Sequence, residues 1–232
     1  RLYFRLARTA DALALEAADK RDKALKYYKL AYDLDSTHLP TLVGRASLLY
    51  RIEDWDGAFK IYQTILVHHR ESQKKDDIVE IFFRLGNIKM KLGERKKALN
   101  MYEKALEEQP HHRPTLEAVM ALQTQQGDFE AVITAKRSIA EGTEPVEKFK
   151  ILDEIGDLYK ERLQNPQKAI VAYAEALALE PKNHVMLHKV LELYTETRQW
   201  KKAIDILIRV TDLEKDKVRR AKYFYTAAVI ER

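Results

Sequence analysis

Residues 85–110 read LGNIKMKLGERKKALNMYEKALEEQP, and residues 155–181 read IGDLYKERLQNPQKAIVAYAEALALEP. Gly, Ala, Tyr, Ala and Pro return in the same order, with a slip of one residue. The same beat runs along the rest of the chain. Starting from Ala98, small or β-branched residues stand at Ala24, Ala58, Ala98, Val132, Ala169 and Ala203. The steps are 34, 40, 34, 37 and 34 residues, a period of 34 with insertions of six and three. Four residues after each rung stand Tyr28, Tyr62, Tyr102, Lys136, Tyr173 and Leu207; seven after stand Ala31, Ile65, Ala105, Ile139, Ala176 and Val210. A fixed period of this length is the mark of a repeat architecture.

The spacing i, i+4, i+7 puts all three positions on one face of an α-helix. Small residues let a neighbouring helix approach, and the aromatic between them fills the gap. A second periodic segment precedes each rung, such as FFRLGNIKMKLG (82–93) or LVGRASLLYRIED (42–54). Gly93, Gly127 and the Asp residues at 54 and 56 mark tight turns between paired helices. Pro110 and Pro181 close the second helix. The unit is therefore helix, turn, helix, short loop, with no strand signal. Each hairpin buries its apolar face only against its neighbours.

Leu85-Gly86, Ala98, Tyr102, Ala105 and Pro110 within a 34-residue unit resemble the tetratricopeptide repeat. The resemblance spans nearly the whole chain. It implies an all-α, right-handed α-solenoid of antiparallel helix hairpins. Six units are expected, at 5–38, 39–72, 73–112, 113–146, 147–183 and 184–217, with a truncated seventh first helix over 218–232. The third and fifth fit best. The fourth departs, with Met120 and Val132 at usually small positions and Lys136 for the aromatic; the sixth carries Leu191 at a small position. The six-residue insertion, within HHRESQKKDDIVEI, implies a longer first helix or a polar loop before it. Asn165-Pro166 suits a helix start, with Asn as cap and Pro in the first turn.

The family uses the first helices, on the concave side, to hold a peptide or helix of another protein. On this chain that register exposes Val43, Ser47, Tyr50, Phe83, Asn87, Met90, Lys91 and Glu117, then Asp153, Asp157, Lys160, His188 and Glu192. The first group is neutral to basic with aromatics. The second leans acidic, with Glu154, Glu161 and Glu196 adding to it. Such a gradient would steer a charged partner and set its direction. Tyr50, Phe83 and Met90 have a plainer reading as fillers between units. A chaperone-tail clamp of the kind found in one family subset is not expected: Asn87 matches, but Phe83 and Ala118 stand where Lys and Asn are needed.

The bulk numbers agree with an interaction module. The chain has 232 residues, 46% hydrophobic and 33% charged, with 7 Gly and 6 Pro and no linker. Net charge is +5, and residues 1–116 hold the whole excess, with 22 Lys or Arg against 17 Asp or Glu. Cys is absent, which removes disulfides and thiolate chemistry and leaves the compartment open. His184 and His188 are four apart on a helix, but no third ligand has a convincing spacing. No phosphate loop or nucleophile arrangement is visible, so neither enzyme chemistry, a cofactor nor a metal is expected. The alternative is a single-stranded RNA-binding helical repeat using the basic N-terminal half; no recurring polar pair of the base-reading kind supports it. The first residue is Arg and the last residues read as mid-helix, so a piece of a longer protein is expected. Its end, YFYTAAVI, would then invite end-to-end self-association.

Overall fold

The computed structural model describes residues 1–12 and 18–231. Among them there is no strand, and thirteen α-helices follow in order. Contacts divide the chain into two compact units, Arg1–Ala118 and Val119–Arg232.

The first unit holds α1 (Leu2–Ala12), α2 (Ala18–Leu34), α3 (Leu39–Arg51), α4 (Trp55–His69), α5 (Lys75–Lys91) and α6 (Arg95–Glu108), and the start of α7 (Arg113–Gln126). Its helices pack as antiparallel pairs, α1 with α2, α3 with α4 and α5 with α6. The second unit holds the rest of α7, then α8 (Phe129–Glu141), α9 (Pro145–Asp157), α10 (Pro166–Leu179), α11 (His184–Glu196), α12 (Trp200–Leu213) and α13 (Lys217–Glu231). Here α9 pairs with α10, and α11 with α12.

The rungs form the core. Ala24, Ala58, Ala98, Ala169 and Ala203 are fully buried, and Val132 nearly so. Tyr28, Tyr102 and Tyr173 are among the largest fully buried side chains. Their rings lie where a side chain is missing. A Cβ on Gly86 would overlap the Tyr102 ring, and one on Gly156 the Tyr173 ring. The departures expected in the fourth and sixth units obey the same size rule. Met120 and Leu191 fill the Gly position, and the ring opposite is replaced by Lys136 and Leu207.

The turns repeat as strictly as the rungs. Glu53, Gly93, Gly127, Gln164 and Arg198 all have positive φ, between 48° and 76°. Each ends a first helix in the left-handed conformation that lets the chain reverse. At Gly93 its N–H bonds to Met90 O (3.0 Å), and that of Glu94 to Lys89 O (2.8 Å), satisfying the helix's last carbonyls. The next residue opens the second helix. Asp54, Asp128 and Asn165 accept from the N–H of Gly57, Ala131 and Lys168. Asn165 thus caps α10 with Pro166 in its first turn.

Both insertions have a local form. Before α5 the chain makes a 3₁₀ turn at Arg70–Ser72, and α5 itself runs 17 residues. The one-residue slip of the fifth unit is a π turn, Leu158–Arg162, closing α9. Leu163 N–H bonds to Leu158 O at 3.1 Å, five residues back. The widened turn absorbs the extra residue without moving the rung at Ala169.

Candidate interaction surface

The rung-plus-four side chains also join one hairpin to the next. Sixteen residues on, plus any insertion, a first-helix residue of the following unit meets four of them. Tyr28 lies against Gly44, so closely that a Cβ there would overlap the ring. The Tyr62 hydroxyl accepts from Arg84 at 2.8 Å. Lys136 reaches Glu154 at 2.5 Å. The Lys189 ammonium sits 5.1 Å from the Tyr173 ring centre. In the fourth unit, where Lys136 stands for the aromatic, an ion pair takes its place at the same joint.

The first unit carries an open cleft of about 940 Å³ on α1, α3 and α5. Its apolar wall is Leu39, Val43, Tyr50 and Phe83; its polar wall is Arg8, Asp11, Arg51, Glu80, Arg84 and Asn87. Arg84 donates to Glu80 (2.6 Å) and lies over the Tyr50 ring at 5.7 Å. Burial opposes its charge, but bonds to Tyr62 and Glu80 outweigh that and raise its pKa above the usual guanidinium value. Asp11 accepts from Tyr28 (2.9 Å) and pairs with Arg51. Burial first, then the Asp11 charge, pushes the Tyr28 phenol well above the ordinary tyrosine range. Asn87 Oδ1 accepts from Tyr102 at 2.7 Å, so the amide N–H₂ is what it offers outward.

Of the expected groove residues, Tyr50, Phe83 and Asn87 come together in this cleft, with Val43 and Ser47. Tyr50 and Phe83 also bridge helices, as edge-on contacts with Trp55 (5.4 Å) and His112 (5.7 Å). Met90 is half-buried outside the cleft, and Lys91 lies 6.0 Å from the Trp55 ring. Glu117 is exposed and accepts from Arg113 at 2.9 Å.

In the second unit the carboxylates are largely neutralised from within, so the wall is less acidic than the sequence count suggests. Lys189 donates to Asp153 (2.5 Å) and Asp157 (2.9 Å). Tyr173 donates to Asp157 at 2.5 Å. Lys160 pairs with Glu192 at 3.0 Å. His188 is exposed, 6.4 Å from the Tyr223 ring. Among the described residues no group of three or more acidic or His side chains is placed to hold a metal. None of their helices is long and apolar enough to cross a membrane.

The sequence reading missed Arg84 and Lys189, which organise the two walls. A signal was present. Both stand two residues before the Gly or Leu of the ladder, the position that meets the preceding unit's rung-plus-four side chain.

Residues 79–112 and 149–183 match models of the tetratricopeptide repeat. They are the third and fifth units, the two that fit best by sequence. These two stretches are tetratricopeptide repeats. No curated protein matches it. Solved structures share the fold at low identity. One is YrrB, described as a TPR protein with an unusual peptide-binding site: 18% identity, TM-score 0.50, 79% of this chain and 89% of that one. A second is the C-terminal part of a TPR repeat-containing protein from Cytophaga hutchinsonii: 18% identity, TM-score 0.51, 97% and 89% covered. A third is the Naa15/Naa10 complex bound to HypK-THB: 15% identity, TM-score 0.59, 98% of this chain and 34% of that one.

Proposed function

We propose that this protein is a non-enzymatic interaction scaffold, and that the cleft on α1, α3 and α5 holds a peptide or helical segment of another protein. The carrying observation is the cleft itself: about 940 Å³, open, with aromatic and aliphatic side chains facing guanidinium groups. Such a surface offers an apolar anchor site and directional hydrogen bonds together. The repeat family and the peptide-binding site in YrrB's description support the class of ligand. The neutralised second-unit wall, with Asp153, Asp157, Lys160, His188 and Glu192, contributes charge pattern more than anchoring area.

The reading includes six units with the limits expected from the ladder. The order of the helices supports it, although α1, α9 and α13 begin at Leu2, Pro145 and Lys217, ahead of the expected starts.

The test is selection from a displayed random-peptide library. Val43 is 43% exposed and lines the cleft, so Val43→Glu is not expected to disturb folding. Selected peptides should bind this variant at least about tenfold more weakly. They should bind Val67→Glu, altered at an exposed position outside the cleft, as they bind the unaltered chain. Equal weakening by both, or no enrichment at all, would reject the cleft as the site.

A further inference from the structure

The hydrogen bonds left unspent on the α5 side of the first-unit cleft are donors. Arg84 uses Nε on Glu80 (2.6 Å) and Nη1 on Tyr62 (2.8 Å), while Nη2 has no acceptor among the described residues. Asn87 gives its Oδ1 to the Tyr102 hydroxyl at 2.7 Å, and its Nδ2 has no acceptor among them either. Residues three apart on a helix are neighbours on one face. Both side chains are half-buried, and each is tied to a buried tyrosine, Tyr62 at 3% and Tyr102 at 2% exposure. Two donors thus stand fixed beside each other in the lining.

The carboxylates of the lining are already engaged. Asp11 accepts from Tyr28 on Oδ2 and from Arg51 on Oδ1. Glu80 accepts from Arg84 on Oε1, which leaves it one oxygen. The charges therefore pair within the lining, Arg51 with Asp11 and Arg84 with Glu80. Arg8 is left over, exposed and without a carboxylate partner among the described residues. It adds a general positive field; the selective groups are the half-buried Arg84 and Asn87.

We infer that the segment held in the cleft carries an aspartate or glutamate side chain, whose carboxylate lies on Arg84 Nη2 and Asn87 Nδ2. A carboxylate can take both donors, one on each oxygen. A neutral carbonyl also accepts, but charge separates the two: burial strips water from Arg84, so an anion gains more there than on an open surface. A basic side chain would meet Arg84 and Arg8 and find only the second oxygen of Glu80. The inference rests on the reading of the cleft as the binding site and adds the chemistry of its occupant.

The probes are acetyl-Leu-Glu-Leu-amide and its Gln and Lys counterparts, titrated to about 20 mM into the whole isotope-labelled chain by amide NMR. A fourth probe carries Gln and a free C-terminal carboxylate, and a fifth is a uridine hexanucleotide. The Glu probe should shift amides around Val43, Arg84 and Asn87 and bind about fivefold more tightly than the Gln probe, the scale of one partly solvated ion pair. Arg84→Gln should remove that preference. Asn87→Asp keeps an oxygen for Tyr102 and sets a like charge where the donor stood. It should reject the Glu probe and admit the Lys probe, a gain that a misfolded chain would not show. Equal binding of the Glu and Gln probes at these amides would overturn the inference and leave the cleft reading standing. A free chain end that binds as well as the Glu side chain, or a hexanucleotide that binds more tightly there, would overturn it in favour of that occupant. No shift from any probe would overturn the inference outright, whatever the selected peptides show of the cleft.

Discussion

Gly86→Ala is the substitution whose sign is least expected. In an ordinary helix, Gly to Ala gains about 1 kcal/mol. Gly86 is buried within α5, far from either end. A Cβ there would overlap Tyr102, whose ring is 2% exposed and cannot swing out. The phenol is held by Asn87 at 2.7 Å, and the Phe83 ring lies 6.1 Å away. Overpacking of this kind costs about 1–3 kcal/mol. Displacing the ring from Asn87 adds about 1 kcal/mol. Set against the helix gain, the net is a loss of about 1–3 kcal/mol. The sixth unit, where Leu191 stands opposite Leu207, shows how to relieve it. In a Tyr102→Leu background, Gly86→Ala should recover its gain of about 1 kcal/mol. Urea unfolding followed by circular dichroism, over the four-member cycle, measures the coupling. A stabilising Gly86→Ala in the otherwise unaltered chain would refute the close packing of ring on glycine.

Other outcomes follow from the same contacts. Burial raises Tyr102 to about 12, and Tyr28, Tyr62 and Tyr173 are also raised. The folded state then keeps protons that the unfolded chain releases above about pH 10, so this stability is full below pH 10 and is lost as pH rises toward 12. Absorbance at 295 nm should show these phenols ionising together with unfolding, later than the exposed ones. Asn165→Ala removes the cap on Lys168 N–H and should cost about 1 kcal/mol by urea unfolding. Lys189→Met strips the cation from Asp153 and Asp157; with Lys189 28% exposed, the loss should be about 1 kcal/mol at pH 7 and smaller once acid protonates both carboxylates, by thermal unfolding at the two pH values.

The ladder was legible because it rests on local chemistry. Ala98 and Ala169 must be small, Tyr102 and Tyr173 must fill the space left by a glycine, and Gly93 must reverse the chain, so each leaves its residue type in sequence. Asn165-Pro166 was equally plain as a helix start. The walls were less legible because their charges are settled across units. Asp157 looks like a free groove carboxylate until Lys189, 32 residues on, and Tyr173 are seen to hold it. Arg84 was passed over beside Phe83 because its partner Tyr62 lies 22 residues back, across the six-residue insertion. Glu53, Gln164 and Arg198 adopt the turn conformation of glycine without being glycine, so glycine itself marked only two of the five turns.

The account's central claim is that the face of α1, α3 and α5 is where a partner segment lies. A photo-crosslinking amino acid at Val43, and separately at Val67, tests it on a peptide selected by the unaltered chain. Mass spectrometry of the products should find the peptide joined at position 43 and not at 67. Equal capture at both, or capture at 67 alone, would contradict the claim.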